Sequence, residues 1–162
     1  MSHPRILSLY RRLAAWPAGG WLFSRLVGFK APYFATIRAR ITRLEPGCCQ
    51  ARMRDRRALH NHLGTVHAIA LCNLAELSGG LMTDATIPAG MRWIPKGMSV
   101  EYLKKARGPM QASATPDIDV IESAQGYELP VSVDIRDVEG DSVFRARITM
   151  WVSPRRPATD GS

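Results

Sequence analysis

Asn61-His62-Leu63-Gly64-Thr65-Val66-His67-Ala68, followed by an apolar run that carries one carboxylate, Glu76, is the stretch on which the reading of this chain turns. A polar turn feeds a helix start, and an acid follows about two turns into the helix. Val66, Ile69, Ala70, Leu74, Leu77 and Leu81 recur at helical spacing and predict a helix over residues 66–81, with Gly79-Gly80 fraying its end. N–H groups at a helix start favour developing negative charge. A carboxylate held near them can attack a carbonyl, or activate water to do so.

On either side of this helix the period changes to two. Ile37, Ala39 and Ile41 alternate with Arg38, Arg40 and Thr42. After a Pro46-Gly47 turn, Cys49, Ala51 and Met53 alternate with Gln50, Arg52 and Arg54. That is a hairpin with one apolar and one basic face. Beyond Pro88, strands are predicted over 98–106 and 110–115, with a further short one over 120–123. Two more follow from the alternation of Val131, Val133 and Ile135 and then of Phe144, Ala146, Ile148, Met150 and Val152, joined by a turn at Glu139-Gly140-Asp141. One long helix among several one-sided strands implies an α+β fold, a curved sheet wrapped around that helix.

The N-terminal segment differs. Ile6, Leu9, Tyr10 and Leu13 share one face of a helix over residues 5–15, and Trp21 to Val27 forms a second, closed by Gly28 and Pro32. A basic amphipathic helix of this kind is able to touch a membrane. Packing on its own domain or on a partner subunit is the simpler reading, so membrane contact is not the expected role. The tail over 154–162 is rich in Pro and polar residues and reads as disordered. The expected organisation is a helical arm over 1–29, a main domain over 30–153 and this tail.

Composition sets the bounds. The 162 residues suit one domain, and 46% hydrophobic with 22% charged residues is ordinary for a globular protein. A net charge of +8 favours an anionic partner without choosing among phosphate-bearing ligands, nucleic acid and acidic membranes. No aromatic residues interleave with the strand arginines Arg38, Arg40, Arg52, Arg54, Arg145 and Arg147. A solvated sheet face is therefore expected, and nucleic acid is not. Cys48, Cys49 and Cys72 form no disulfide framework, which points to a reducing, cytoplasmic setting. No signal peptide or membrane span is read. His60, His62 and His67 with Cys72 lack ligand spacing, so no metal is expected.

Asn61-x-x-Gly64-x-x-His67-Ala68, with Glu76 further along the same helix, resembles the Asn-x-x-Gly-x-x-His-Gly signature of hotdog-fold acyl-CoA thioesterases of the phenylacetate-pathway type. Tyr102-Leu103-Lys104-Lys105-Ala106-Arg107-Gly108 is similar to that family's Tyr-Leu-Arg-Pro-Ala-x-x-Gly strand. The resemblance covers roughly residues 30–153 and departs at three places: Ala68 and Ile69 stand where the family keeps glycines, and Leu59 where it keeps a histidine.

The resemblance implies a hotdog fold with an added N-terminal helical extension. It implies Glu76 as nucleophile or general base, the Ala68 N–H polarising the thioester carbonyl, and Asn61 bonding the carbonyl or the attacking water. His67 and Gly64 would shape the turn, and His67 could also position the substrate. Lys104, Lys105 and Arg107 would meet the phosphates of coenzyme A, which enters as part of the substrate and not as a cofactor. Trp93, Met98, Tyr102 and Leu103 are candidates for the acyl channel. In such enzymes the site forms across a dimer interface, so a homodimer or homotetramer is expected. The competing expectation is a hotdog protein that binds a fatty-acyl ligand without turnover. An acyl-carrier-protein thioester is a less favoured substrate.

Overall fold

Alternation of inward apolar residues builds the sheet in the computed structural model, which describes residues 5–155. β1 (Arg40–Glu45) and β2 (Cys48–Met53) close the predicted hairpin, with Gly47 at φ 76 in its turn. Cys49, Ala51 and Met53 point inward and are fully buried. β1 departs from simple alternation: a register shift between Ile41 and Arg43 lets Ile41 and Leu44 both face the core. The predicted strand start at Ile37 is instead a turn, with Arg38 in the left-handed region at φ 49.

β3 (Met91–Tyr102) begins well before the predicted Met98. Pro95 and a register shift between Pro95 and Gly97 hide its alternation, and Pro is tolerated there because β3 is an edge strand. β4 (Met110–Pro116), β5 (Tyr127–Arg136) and β6 (Ser142–Pro154) follow the expected pattern. Residues 120–123 are not a strand; they lie in the β4–β5 loop, held by the Tyr127 hydroxyl on the Ile121 backbone. The sheet order is β1-β2-β4-β5-β6-β3, every neighbouring pair antiparallel.

The central helix α4 (Ala68–Thr86) lies against the inner face of this sheet and touches all six strands. It runs past the predicted end at residue 81. Gly79 and Gly80 are buried within it and do not fray it, because the sheet comes too close for side chains. A Cβ at Gly79 would stand 3.0 Å from Ile148 Cδ1, and one at Gly80 2.9 Å from the Trp93 ring. The result is the hotdog fold: an α+β architecture in which a curved antiparallel sheet wraps one long helix.

The arm consists of α1 (Arg5–Ala14), α2 (Gly19–Lys30) and α3 (Pro32–Ala35). The buried centre of α1 is Leu7, and Leu9, expected on the inner face, is exposed. Tyr10 meets Phe23 of α2 edge-on, their centroids 5.1 Å apart. Leu7 and Phe23 join the same core as the sheet, and helical structure continues to residue 35. Gly28 sits inside α2 against Ala35, and Pro32 opens α3. At the other end, Pro154 closes β6 and Arg155 bonds back to Gly90 and Met91. The rest of the predicted tail, residues 156–162, lies outside the described residues.

Candidate active site at the start and flank of helix α4

The loop before α4 is organised by Asn61. Its Oδ1 accepts from the N–H groups of Leu63 and Thr65 at 2.9 and 3.2 Å, and its Nδ2 donates to Thr65 Oγ1 at 3.0 Å. Gly64 closes the turn at φ 69, a conformation that glycine adopts without strain. The Asn61 carboxamide is thus engaged within its own loop, the capping role that asparagine favours. His67 caps α4: its Nδ1 accepts from the Ile69 N–H at 3.1 Å, which places the ring proton on Nε2. The Ala68 N–H, at the first position of the helix, has no partner among the described residues. It is the free donor of this terminus.

Two contacts anchor the loop from outside. The Val66 N–H donates to Ala106 O at 2.9 Å, and the His67 N–H to Leu59 O at 2.7 Å. Asp55 holds the rest: one carboxylate oxygen pairs with His60 Nε2 and the other accepts from the Gly108 N–H at 2.8 Å. Burial works against ionisation of Asp55. The hydrogen bonds from His60 and Gly108, with the positive charge of Arg107, outweigh it and hold the carboxyl below the usual carboxylate value. Sequence reading missed Asp55, whose backbone partner lies 53 residues away.

Glu76 lies one helical turn from Cys72 and from Gly80, the residues of α4 that meet Tyr102 and Trp93 of β3. It is exposed and forms no ion pair or hydrogen bond among the described residues. Ile69, assigned to the apolar stripe from sequence, shares this open side and is 53% exposed. The rim is built by two contacts between α4 and β3. Cys72 Sγ lies 3.4 Å from the Tyr102 hydroxyl, and Trp93 Nε1 donates to Asp84 Oδ1 at 2.6 Å. Trp93, Met98 and Tyr102 pair with Val152, Ile148 and Phe144, which sets them on the inner face of β3. Even so, Met98 and Tyr102 are exposed, and Leu103 follows them, exposed as well.

The three basic candidates differ. Lys104 is held by Asp137 and Asp141 at 2.8 and 2.7 Å, and these bonds raise its pKa. Lys105 and Arg107 are exposed and carry no ion pair among the described residues. Among those residues, the acidic group close enough to share an ion is Asp137, Glu139 and Asp141, two of which already hold Lys104. His60 is occupied by Asp55, and among the described residues His62, His67 and Cys72 do not converge with it.

A family model described as a domain of unknown function (DUF4442) matches residues 19–152. The chain belongs to the DUF4442 family. The DUF4442 match opens at the first residue of α2, so that helix is part of the family's domain and α1 precedes it. Among solved structures, the structural-genomics protein APC5556 is 44% identical, with a TM-score of 0.78 over 94% of this chain and 98% of its own. Protein PA5026 from Pseudomonas aeruginosa is 24% identical, with a TM-score of 0.74 over 82% of this chain and 93% of its own. Thioesterase HI1161 from Haemophilus influenzae is 19% identical, with a TM-score of 0.67 over 78% and 86%. At the two lower identities the likeness is one of fold. No curated protein matches the sequence.

Proposed function

We infer that this protein hydrolyses an acyl thioester, with coenzyme A as the thiol, in a site shared by two copies of the chain. The observation that carries the reading is a separation. The free Ala68 N–H and the unpaired Glu76 carboxylate lie eight residues apart on one helix, about 12 Å along its axis. No single carbonyl reaches both within one protomer. A second copy paired along the open β3 edge, with its α4 antiparallel, would bring each Glu76 to the other chain's Ala68. It would also cover Met98, Tyr102 and Ile69.

The chemistry needs little more. The Ala68 N–H stabilises the oxyanion as the carbonyl carbon becomes tetrahedral. Glu76 either takes a proton from the attacking water or attacks the carbon itself, giving an anhydride that water then opens. The C–S bond breaks and the thiolate leaves without a strong general acid. That several neighbours of this fold carry the name thioesterase agrees with the reading. Lys105 and Arg107 are the cations free to meet the coenzyme A phosphates.

The test is release of free thiol from a panel of acyl-CoA thioesters by the full chain and by Glu76→Gln. Turnover lost in the variant at unchanged melting temperature supports the reading, and no turnover on any member of the panel opposes it. One observation favours non-catalytic acyl binding instead: His67 already occupies the Ile69 N–H, leaving one helix-start donor for an oxyanion. Tight acyl-CoA binding with no thiol released would select that alternative.

A further inference from the structure

Helix α2 is apolar on two opposite sides. Phe23 is fully buried and Val27 packs on the core, while Trp21, Leu22, Leu26 and Phe29 stand on the outer side. Phe29 is 87% exposed and Trp21 56% exposed. Arg25 shares that side, 5.7 Å over the Trp21 ring. Trp16, 74% exposed, precedes the helix, and exposed Tyr33 follows it. A helix apolar all round is ordinarily enclosed, yet none of the described residues covers this side.

Charge sets the same end of the molecule apart. Residues 1–44 hold eight Lys or Arg and no Asp or Glu; Glu45 is the first acid. From Glu45 onward the 14 acids are matched by as many Lys and Arg, so the whole net charge of +8 belongs to the N-terminal stretch. An aromatic and aliphatic ridge set among cations, with no acid near it in sequence, has the chemistry of a bilayer interface. Indole and phenol rings settle at the headgroups, leucines reach the acyl boundary, and Arg and Lys meet lipid phosphates.

We propose that the outer face of α2, with Trp16 and Tyr33 at its ends, docks the protein onto anionic phospholipid membranes. A second copy is a poor occupant, because pairing these faces would bring two wholly cationic segments together. Nucleic acid fits less well, since Leu22 and Leu26 in the middle of the ridge give a base neither a stacking plane nor a hydrogen bond. The arm packs on β1, the sheet edge opposite β3. Docking therefore leaves β3 free, and the proposal stands whether or not the catalytic reading does.

The experiment is co-sedimentation of the full chain with vesicles of phosphatidylcholine alone or with added phosphatidylglycerol, read together with tryptophan emission. Sedimentation with the anionic vesicles only, a blue shift and release by salt are expected. Trp21→Ser with Phe29→Ser should weaken binding roughly tenfold or more at unchanged melting temperature, as should Arg25→Glu with Lys30→Glu. The proposal is overturned if the anionic vesicles retain no protein, or if the Trp21→Ser/Phe29→Ser variant binds them as well as wild type. It is equally overturned if that variant abolishes self-association or single-stranded DNA binding in a protein that ignores vesicles.

Discussion

The ring of Trp93 rests on Gly80: a Cβ at Gly80 would stand 2.9 Å from its Cη2, while its Nε1 donates a 2.6 Å hydrogen bond to Asp84 one turn further along α4. The hydrogen bond fixes the ring, so the ring cannot yield cheaply to a methyl group. Gly80→Ala should therefore destabilise the wild type by about 1 kcal/mol, overpacking outweighing the gain in helix propensity. Trp93→Ala should cost about 2 kcal/mol. In that background Gly80→Ala should stabilise by about 1 kcal/mol, because the clash is gone and the propensity gain remains. Denaturant unfolding of the four proteins gives the coupling directly, and additive effects would contradict the contact.

Asp55 gives the loop before α4 a pH dependence of known sign. Its carboxyl is held below the ordinary value of 3.8 in the fold, so ionised Asp55 favours the folded state. That contribution is fully present above 3.8 and is lost as pH falls through the lower folded value. Asp55→Asn removes it. The melting temperature of the variant should lie below wild type at neutral pH, and the gap should narrow as the solution is acidified below 3.8. A gap independent of pH would mean that Asp55 acts by packing alone.

Lys104 and Lys105 are neighbours with different prospects. Lys104 spends its charge on Asp137 and Asp141, whereas Lys105 carries no ion pair among the described residues. If coenzyme A phosphates bind here, Lys105→Ala should raise KM for acyl-CoA roughly threefold to tenfold with kcat nearly unchanged. Lys104→Ala should instead lower the melting temperature slightly. The same acyl group on pantetheine, which lacks the nucleotide, should show no KM effect for Lys105→Ala. An equal effect on both substrates would assign Lys105 to the acyl or thiol end.

The sheet and the central helix were legible in the sequence because inward apolar residues alternate in β2, β5 and β6 and recur at helical spacing in α4. What was not legible depended on partners distant in sequence. Gly79-Gly80 carries the local signal of a helix end, and only Ile148 and Trp93 arriving from the sheet explain glycine inside a helix. The first half of β3 was hidden by Pro95 and the shift beside it. Leu9 and Ile69 fit their apolar stripes by spacing yet face outward, since spacing cannot say which neighbour covers a helix. Around the site, the turn at Asn61 and Gly64 was readable. Asp55 and the engagement of Lys104 by Asp137 and Asp141 were not.

The strongest test of a shared site uses two inactive variants. Glu76→Gln removes the carboxylate. Ala68→Pro removes the free N–H at the first position of α4, where proline is well tolerated. His67 before it, at φ -65 and ψ 138, already has the extended backbone that a following proline requires. Each variant alone should fold, melt near wild type and release no thiol. When the two are unfolded together and refolded as an equal mixture, half of the dimers should be mixed. In a mixed dimer one site receives both substitutions, and the other combines an intact Glu76 with an intact Ala68. Thiol release should therefore recover to roughly a quarter of wild type. If Glu76 and Ala68 acted within one chain, each variant would carry its own defect into every dimer and the mixture would stay inactive.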